Sequence, residues 1–226
     1  DGRVHSLRNQ ALISIQNETE MGASLEKIEK KLSEHPAYPS LFNAAYGSRI
    51  ISAERIGVAI EQFLLTQISD DSRFDRALKN EVALTEIEKR GLELFFTEYD
   101  PRRKLYGADC FHCHGGPLFS DLSNHNNGLT LTSDRGIAEI TQRKSDVGKF
   151  STPSLRNVEI TAPYMHDGRF ISLKEAVEHY RSGIRRGRAL DPNLAKHSSP
   201  GIPLSDADVD ALVAFLKTLT DNKFLD

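Results

Sequence analysis

Tryptophan is absent from the 226 residues, and cysteine and methionine occur only twice each. Two cysteines cannot build the multi-bridge framework of a small secreted scaffold. No apolar run approaches the roughly 20 residues that a membrane-spanning helix needs. Charge is close to balance at −3, so no basic excess points to nucleic acid. Alternating strand patterns are scarce. What remains is a chain long enough for one or two domains of about 150 residues each.

The apolar residues that are present recur at helical spacing. "AERIGVAIEQFLLTQI" sets Ile56, Ile60, Phe63, Leu64 and Gln67 along one face. "LTEIEKRGLELFF" opens on Thr85 and Glu88, the spacing of a capping box, and turns Ile87, Gly91, Leu94 and Phe95 inward. "ISLKEAVEHY" opens on Ser172 and Glu175 in the same way and stops at Gly183. The last helix carries Val209, Leu212, Val213, Leu216 and Leu219 on one face. Gly91 has no side chain to block a close crossing, and the final helix with Phe215 and Leu216 is its expected partner. Two stretches, 115–151 and 183–203, lack periodicity. Loops of that length in a compact domain point to binding, and a large flat cofactor would give them a surface to pack on. "SDDSRFDRALKNE" is polar and reads as a connection, with a boundary near residue 81.

Both cysteines fall in "ADCFHCHGG", as Cys110 and Cys113, followed at once by His114. Chance would place C-x-x-C-H in a chain of this composition only about 0.0006 times. Zinc would need four ligands, and Cys110, Cys113, His114 and His125 lack finger spacing. A redox dithiol would want a strand before it and a sheet around it. Covalent haem attachment needs less. Two sulfurs on one helical turn reach the two vinyl groups of a porphyrin, and the adjacent imidazole reaches the iron. Such attachment takes place outside the cytoplasm, so a periplasmic location is expected.

With that motif in place, "FSTPSLRNVEITAPYMHDGRFISLKEAVEHY", "CHGGPLFSD", "HNNGL", "SRFDRAL" and "LVAFLKTLTD" resemble the C-terminal domain of bacterial di-haem cytochrome c peroxidases and their relatives. "DGRVHSLRNQALISIQNETEMG" resembles the middle of that family's N-terminal domain. The resemblance implies an all-α fold of two cytochrome c-like helical domains with long haem-wrapping loops. Residues 1–80 would be the remainder of the N-terminal, peroxidatic domain, only partly present, and 81–226 the C-terminal haem domain. It implies one haem c in this chain and a second C-x-x-C-H, with the family's inter-haem tryptophan, upstream of Asp1.

The resemblance also assigns residues. Gln10 and Glu20 match the polar residues on the distal side of the peroxidatic haem. A carboxylate there can move a proton between peroxide oxygens, and an amide can orient the molecule. For the sixth ligand of the Cys110/Cys113 haem, ligand chemistry alone favours Met165, with His179 as a further alternative. The family's ligand lies fourteen residues after the histidine of "HDG", which is Tyr180 here. Many peroxidases have Met at that place. The relative that matures the tryptophan tryptophylquinone of methylamine dehydrogenase has Tyr. His166 matches a histidine between the haems that contacts a propionate, and Arg156 a propionate partner. Thr161 and Pro163 match backbone-carbonyl donors to a calcium ion at the domain interface.

The implied activity is reduction of hydrogen peroxide to water. Electrons would come from a small donor protein, a cytochrome c or a cupredoxin, through the His114 haem. A homodimer is one expected state; nucleic acid and a membrane span are not expected. Two alternatives stand beside it: a high-valent-iron di-haem enzyme that oxidises residues of a partner protein, and a single-haem electron-transfer cytochrome.

Overall fold

The computed structural model of the protein describes residues 2–129, 133–198 and 200–225. It is helical, and each of its strands is two residues long. The chain divides into two compact units, Arg3–Ile68 and Ser69–Asp226, the latter joined by Asp1–Gly2.

The first unit holds α1 (Leu7–Gln16), α2 (Leu25–Glu34), α3 (Tyr38–Tyr46) and α4 (Ala53–Leu65). Ser6, Ser24 and Ser52 cap α1, α2 and α4 by accepting from backbone N–H groups that the helix leaves unpaired. Gly47 ends α3 at φ +66, in the left-handed region that glycine enters at little cost. The buried core is small: Phe42, Ile51 and Ile56, with Ile28, Leu32, Tyr46 and Ile60 against it. The apolar face expected on α4 is only partly used, because Phe63 is 62% exposed and Gln67 lies beyond the helix.

The second unit begins α5 (Arg73–Leu78), α6 (Glu86–Phe96), β1 (Tyr99–Asp100), β2 (Leu105–Tyr106) and α7 (Phe111–His114). It continues β3 (Asn124–His125), α8 (Ala138–Thr141), β4 (Phe150–Ser151), α9 (Leu173–Glu178), α10 (Pro192–Ala195) and α11 (Asp206–Lys217). Capping boxes open α6 at Thr85/Glu88 and α9 at Ser172/Glu175, as the spacing predicts. Two more open α5 and α11, at Ser72/Asp75 and Ser205/Asp208. By packing, residues from Ser69 onward belong with the second unit. The polar composition of 69–81 conceals one aromatic anchor: Phe74 is buried in the second unit's core, and its N–H donates to the Thr218 carbonyl at 2.9 Å.

The crossing of α6 and α11 forms the centre of that core. Leu94, Phe95, Val209, Phe215 and Leu219 are essentially sealed from solvent. A Cβ on Gly91 would lie 2.0 Å from the Ala211 carbonyl oxygen and 2.7 Å from Phe215 Cβ, so the backbones meet where the sequence places them. Phe74, Phe95, Phe119 and Phe215 interlock edge to face, with ring centroids 5.2–5.9 Å apart. Such pairs contribute about 0.5–1.5 kcal/mol each beyond their buried area. Phe119 is the member that belongs to the loop after α7.

The two long loops carry only short elements. β3 and β4 pair antiparallel, Asn124 with Ser151 and His125 with Phe150. The 183–203 stretch folds back on the end of α9: Ile202 N–H donates to the Tyr180 carbonyl at 2.9 Å, and a Cβ on Gly201 would lie 2.3 Å from that oxygen.

Gly91→Ala tests the crossing. The added methyl has no free volume, and overpacking of this kind costs about 1–3 kcal/mol. Thermal unfolding of the variant should show a lowered midpoint with the helical signal retained below it.

Candidate functional site

Cys110 stands at the N-terminus of α7, and Cys113 and His114 lie within it. The segment is held from both sides. Before it, Asp109 takes a left-handed conformation, φ +58. One of its carboxylate oxygens accepts from Tyr99 N–H at 2.8 Å; the other lies 2.8 Å from His197 Nε2 and 3.2 Å from Lys196 Nζ. Burial works to raise the Asp109 pKa, and these partners outweigh it, so the carboxyl is held below its usual range.

After it, His114 Nδ1 is 3.0 Å from the Phe119 carbonyl oxygen. A carbonyl only accepts, so this bond places a proton on Nδ1. Desolvation lowers the His114 pKa against the pull of the Phe119 carbonyl, Asp121 and the Pro153 backbone, which favours the neutral ring. A neutral imidazole with a fixed tautomer is a metal ligand with its supporting bond already made. Phe119 is itself anchored. Ser154 Oγ donates to the Leu118 carbonyl at 2.6 Å, and Arg156 Nε to the Pro117 carbonyl at 2.8 Å. The Arg156 guanidinium lies over the Phe119 ring, 5.8 Å from its centroid.

The thiols of Cys110 and Cys113 are unbridged. Desolvation is the main cause that pushes each pKa up to about 12, aided by Asp109 at Cys110 and by Asp191 and Asp121 at Cys113. Two unbridged thiols on one helical turn suit thioether bonds to a porphyrin. His125 does not complete a zinc set with them. Its Nδ1 is 2.5 Å from Asp191 Oδ2 and its Nε2 2.8 Å from Asp121 Oδ2. Desolvation lowers the His125 pKa, and the two carboxylates overcome that and raise it, so the ring favours the cation. Among the described residues, Cys113, His125 and Asp191 offer ligand atoms within 4.8 Å of one another, but this imidazole is already bound through both nitrogens.

Desolvation raises the Tyr180 pKa to about 12; an Asn127 bond opposes this, and Cys113 and Cys110 add to it. Tyr180 sits in a single π-helical turn, His179–Gly183, that continues α9. Turns of this kind recur at functional sites. Met165 enters the same region with a positive φ of +71, and its Sδ accepts from Asn127 Nδ2 at 3.3 Å. His179, in contrast, is buried with Nε2 2.9 Å from the Asn127 carbonyl oxygen. That nitrogen is committed to backbone.

Comparison with known proteins identifies the family. The family model described as "Di-haem cytochrome c peroxidase" matches residues 1–83, and that described as "Cytochrome c" matches residues 102–220. A solved MauG-like protein associated with microbial copper homeostasis superposes with a TM-score of 0.84 at 34% identity, covering 100% of this chain and 72% of that one. The chain belongs to the di-haem cytochrome c peroxidase family. The diheme peroxidase BthA from Burkholderia thailandensis superposes with a TM-score of 0.78 at 26% identity, over 100% of this chain and 66% of its own. In sequence, the methylamine utilization protein MauG of Methylophilus methylotrophus is 34% identical over 97% of this chain and 62% of its own length. The cytochrome c551 peroxidase of Nitrosomonas europaea is 32% identical over 99% of this chain and 61% of its own. The chain thus spans about six-tenths of the curated relatives it matches.

The other residues that the family resemblance singles out are placed as follows. Gln10 is exposed on α1 and donates to Ser14 Oγ at 3.3 Å. Glu20 is exposed in the turn after α1 and accepts from Asn17 Nδ2 at 2.9 Å. His166 is stacked on Phe150, 3.7 Å between centroids and 9° from parallel. Thr161 and Pro163 are exposed, and Thr161 Oγ1 donates to the Val158 carbonyl at 3.1 Å. Arg156 forms a bidentate pair with Asp75, at 2.8 and 3.0 Å. The family motifs "SRFDRAL" and "FSTPSLRN" therefore meet at one ion pair, which residue types alone did not reveal. Asn127, inside "HNNGL", was also missed as a site residue; its only signal was an Asn-Gly pair in a loop.

The Asp75–Arg156 pair has a pH signature. Burial works to raise the Asp75 pKa, but the Arg156 fork and the Ser72 bonds prevail and hold it low. Its stabilisation is therefore present above the ordinary carboxylate pKa of about 3.9 and is lost as pH falls through the lower folded value. Arg156→Ala should cost about 3 kcal/mol at neutral pH, since it leaves a buried carboxylate unpaired. Denaturant unfolding as a function of pH should show the gap between wild type and variant closing below about pH 4.

Proposed function

We propose that this chain is the electron-entry part of a periplasmic di-haem oxidoreductase that reduces hydrogen peroxide with electrons from a small donor protein. The observation that carries this is the set Cys110, Cys113 and His114: two unbridged, half-buried sulfurs on one helical turn beside an imidazole whose Nδ1 lies 3.0 Å from the Phe119 carbonyl oxygen. Cys110 and Cys113 are assigned to covalent attachment of haem c, His114 to one axial position through Nε2, and Tyr180 to the other. Haem supplies the one-electron chemistry when bound. The protein's share is to hold the imidazole neutral, keep both sulfurs dry and bring a single hard oxygen to the opposite side. A phenolate oxygen favours the oxidised metal more than a thioether does. Tyr180 must give up its proton to act in this way, which its dehydrated site resists until a cation replaces that proton.

Glu20 and Gln10 are assigned to the distal side of a second haem c carried by a preceding segment, Glu20 to move the proton and Gln10 to orient peroxide. Both are exposed, which leaves them open to substrate. The carbonyls of Thr161 and Pro163 are assigned to calcium, for which oxygen donors are the required type. His166 is assigned to the electron route. No helix among the described residues is long and apolar enough to cross a membrane.

Tyr180 supports a second reading, oxidation of residues in a partner protein. A hard oxygen ligand favours oxidised iron, and a relative named for methylamine utilization is among the matches. Peroxide turnover with a reduced small donor separates the two: rapid turnover supports the first reading, and a long-lived oxidised form without turnover supports the second.

The experiment that tests the assignment is a haem count on the full-length exported protein. The reduced pyridine spectrum should give two covalent haems per chain. Cys113→Ala and His114→Ala should each reduce the number properly bound by one. A wild-type protein exported beside a competent haem-attachment system, yet carrying no covalent adduct on Cys110 or Cys113, overturns the reading.

A further inference from the structure

The 183–203 loop carries charge that the assigned site does not use. Between Gly183 and Pro203 stand Arg185, Arg186, Arg188 and Lys196, with Asp191 as the one acidic residue, in a chain whose net charge is −3. Lys196 and Asp191 are already engaged. Lys196 Nζ lies 3.2 Å from Asp109 Oδ2, and Asp191 Oδ2 lies 2.5 Å from His125 Nδ1. The three arginines are exposed, and none forms an ion pair among the described residues. Arg186 Nη1 donates to the Ala195 carbonyl at 3.1 Å; the other two guanidinium groups are free of protein.

The backbone beneath them is fixed. Ile184 and Leu190 are buried on either side. Arg185 N–H donates to the Gly128 carbonyl at 2.8 Å, and Leu190 N–H to the Gly187 carbonyl at 3.2 Å. Gly128 has φ +75, and a Cβ there would lie 2.7 Å from Ile184 Cγ2, so the loop packs directly on that turn. A Cβ on Gly187 would meet nothing within 4 Å, so the tip of the loop stands clear. A loop that is already ordered has little backbone freedom left to lose when a partner arrives.

The same loop leads to the attachment site. Asp191, three residues after Arg188, brings a carboxylate oxygen within 4.8 Å of Cys113 Sγ. Three residues of extended chain span at most about 10 Å. A protein resting on the arginines therefore sits a short chain length from a sulfur assigned to haem.

We propose that Arg185, Arg186 and Arg188 form the docking surface for the acidic face of the small electron-donor protein. This rests on the electron-entry role assigned to the Cys110, Cys113 and His114 site, and adds the charge of the partner. Unpaired charge steers an oppositely charged protein and raises its association rate about 10- to 1,000-fold at low salt. The rest of the chain holds the acidic excess and repels such a partner, which directs encounter to this loop. A lipid surface fits less well. Ile184 and Leu190 are buried, so the loop offers a bilayer no apolar anchor.

The test uses the full-length exported holoprotein. Electron exchange with the C-terminal haem is followed by stopped flow in its downhill direction, with plastocyanin as the acidic probe and mitochondrial cytochrome c as the basic one. The second-order rate constant should fall with rising salt for plastocyanin and not for cytochrome c. The variant Arg185→Glu/Arg186→Glu/Arg188→Glu should lower the plastocyanin rate about tenfold or more at low salt, with the haem spectrum unchanged. The gap should close near 1 M salt, where the screening length is about 3 Å. The same charge change on α2, Lys27→Glu/Lys30→Glu/Lys31→Glu, should have less than a quarter of that effect, about twofold at most. Arg185→Gln/Arg188→Gln serves if the triple variant assembles poorly, with an expected loss of about threefold. An unchanged rate in both arginine variants would overturn the proposal, as would an equal loss in the α2 variant. Sedimentation with phosphatidylserine vesicles that depends on the arginines, while the plastocyanin rate does not, assigns the loop to lipid and also overturns it. If the wild type exchanges electrons with neither probe although its haems titrate with small reagents, the electron-entry role falls and the docking surface with it. If exchange is fast and the arginine variants keep it, the docking surface alone falls.

Discussion

Phe119 joins the core of the second unit to its chemistry. Its ring packs edge to face against Phe74 and Phe95, and its carbonyl accepts the Nδ1 proton of His114. The loop that carries it cannot shift without disturbing one or the other. Arg156 tightens the arrangement by bonding the Pro117 carbonyl, covering the Phe119 ring and pairing with Asp75 on α5. Burying an ion pair is costly, and this one gains its stability from three guanidinium nitrogens that are all engaged. The tautomer and orientation of one imidazole are consequently supported by residues that never approach it.

The opposite side of the site is built in a different way. There the backbone is unusual, with a π-helical turn at Tyr180 and a left-handed Met165. The left-handed Met165 turns its sulfur toward the Asn127 amide, 3.3 Å away. Local departures from regular backbone are sustained where the surroundings fix them, and here the 183–203 loop does so through Ile202 and Gly201. The long aperiodic stretches are thus tightly bonded parts of the site wall, and their lack of periodicity reflects contact with the site in place of a helical face.

The two units differ in how far they are consolidated. The second has one aromatic core and several capping boxes, and it carries the complete C-x-x-C-H segment. The first has a small core and exposes Leu7, Ile13, Met21 and Phe63. Apolar periodicity in α4 therefore overstates its burial, because a helical pattern shows which residues share a face but not whether that face is covered.

Features that the amino-acid sequence determined by itself are those whose partners lie within a few positions. Capping boxes close over three residues, and C-x-x-C-H spans one helical turn, so residue types alone identify them. Gly91 was legible because an inward glycine on a helix has few other uses. Tertiary structure alone decided the rest. Asp75 and Arg156 are 81 residues apart, Asn127 and Met165 38, and His179 and Asn127 52. It also packed the polar segment after Ser69 onto the second unit, because Phe74 within it is buried there. Pairings across such distances depend on how loops close, and no local periodicity or propensity encodes that closure.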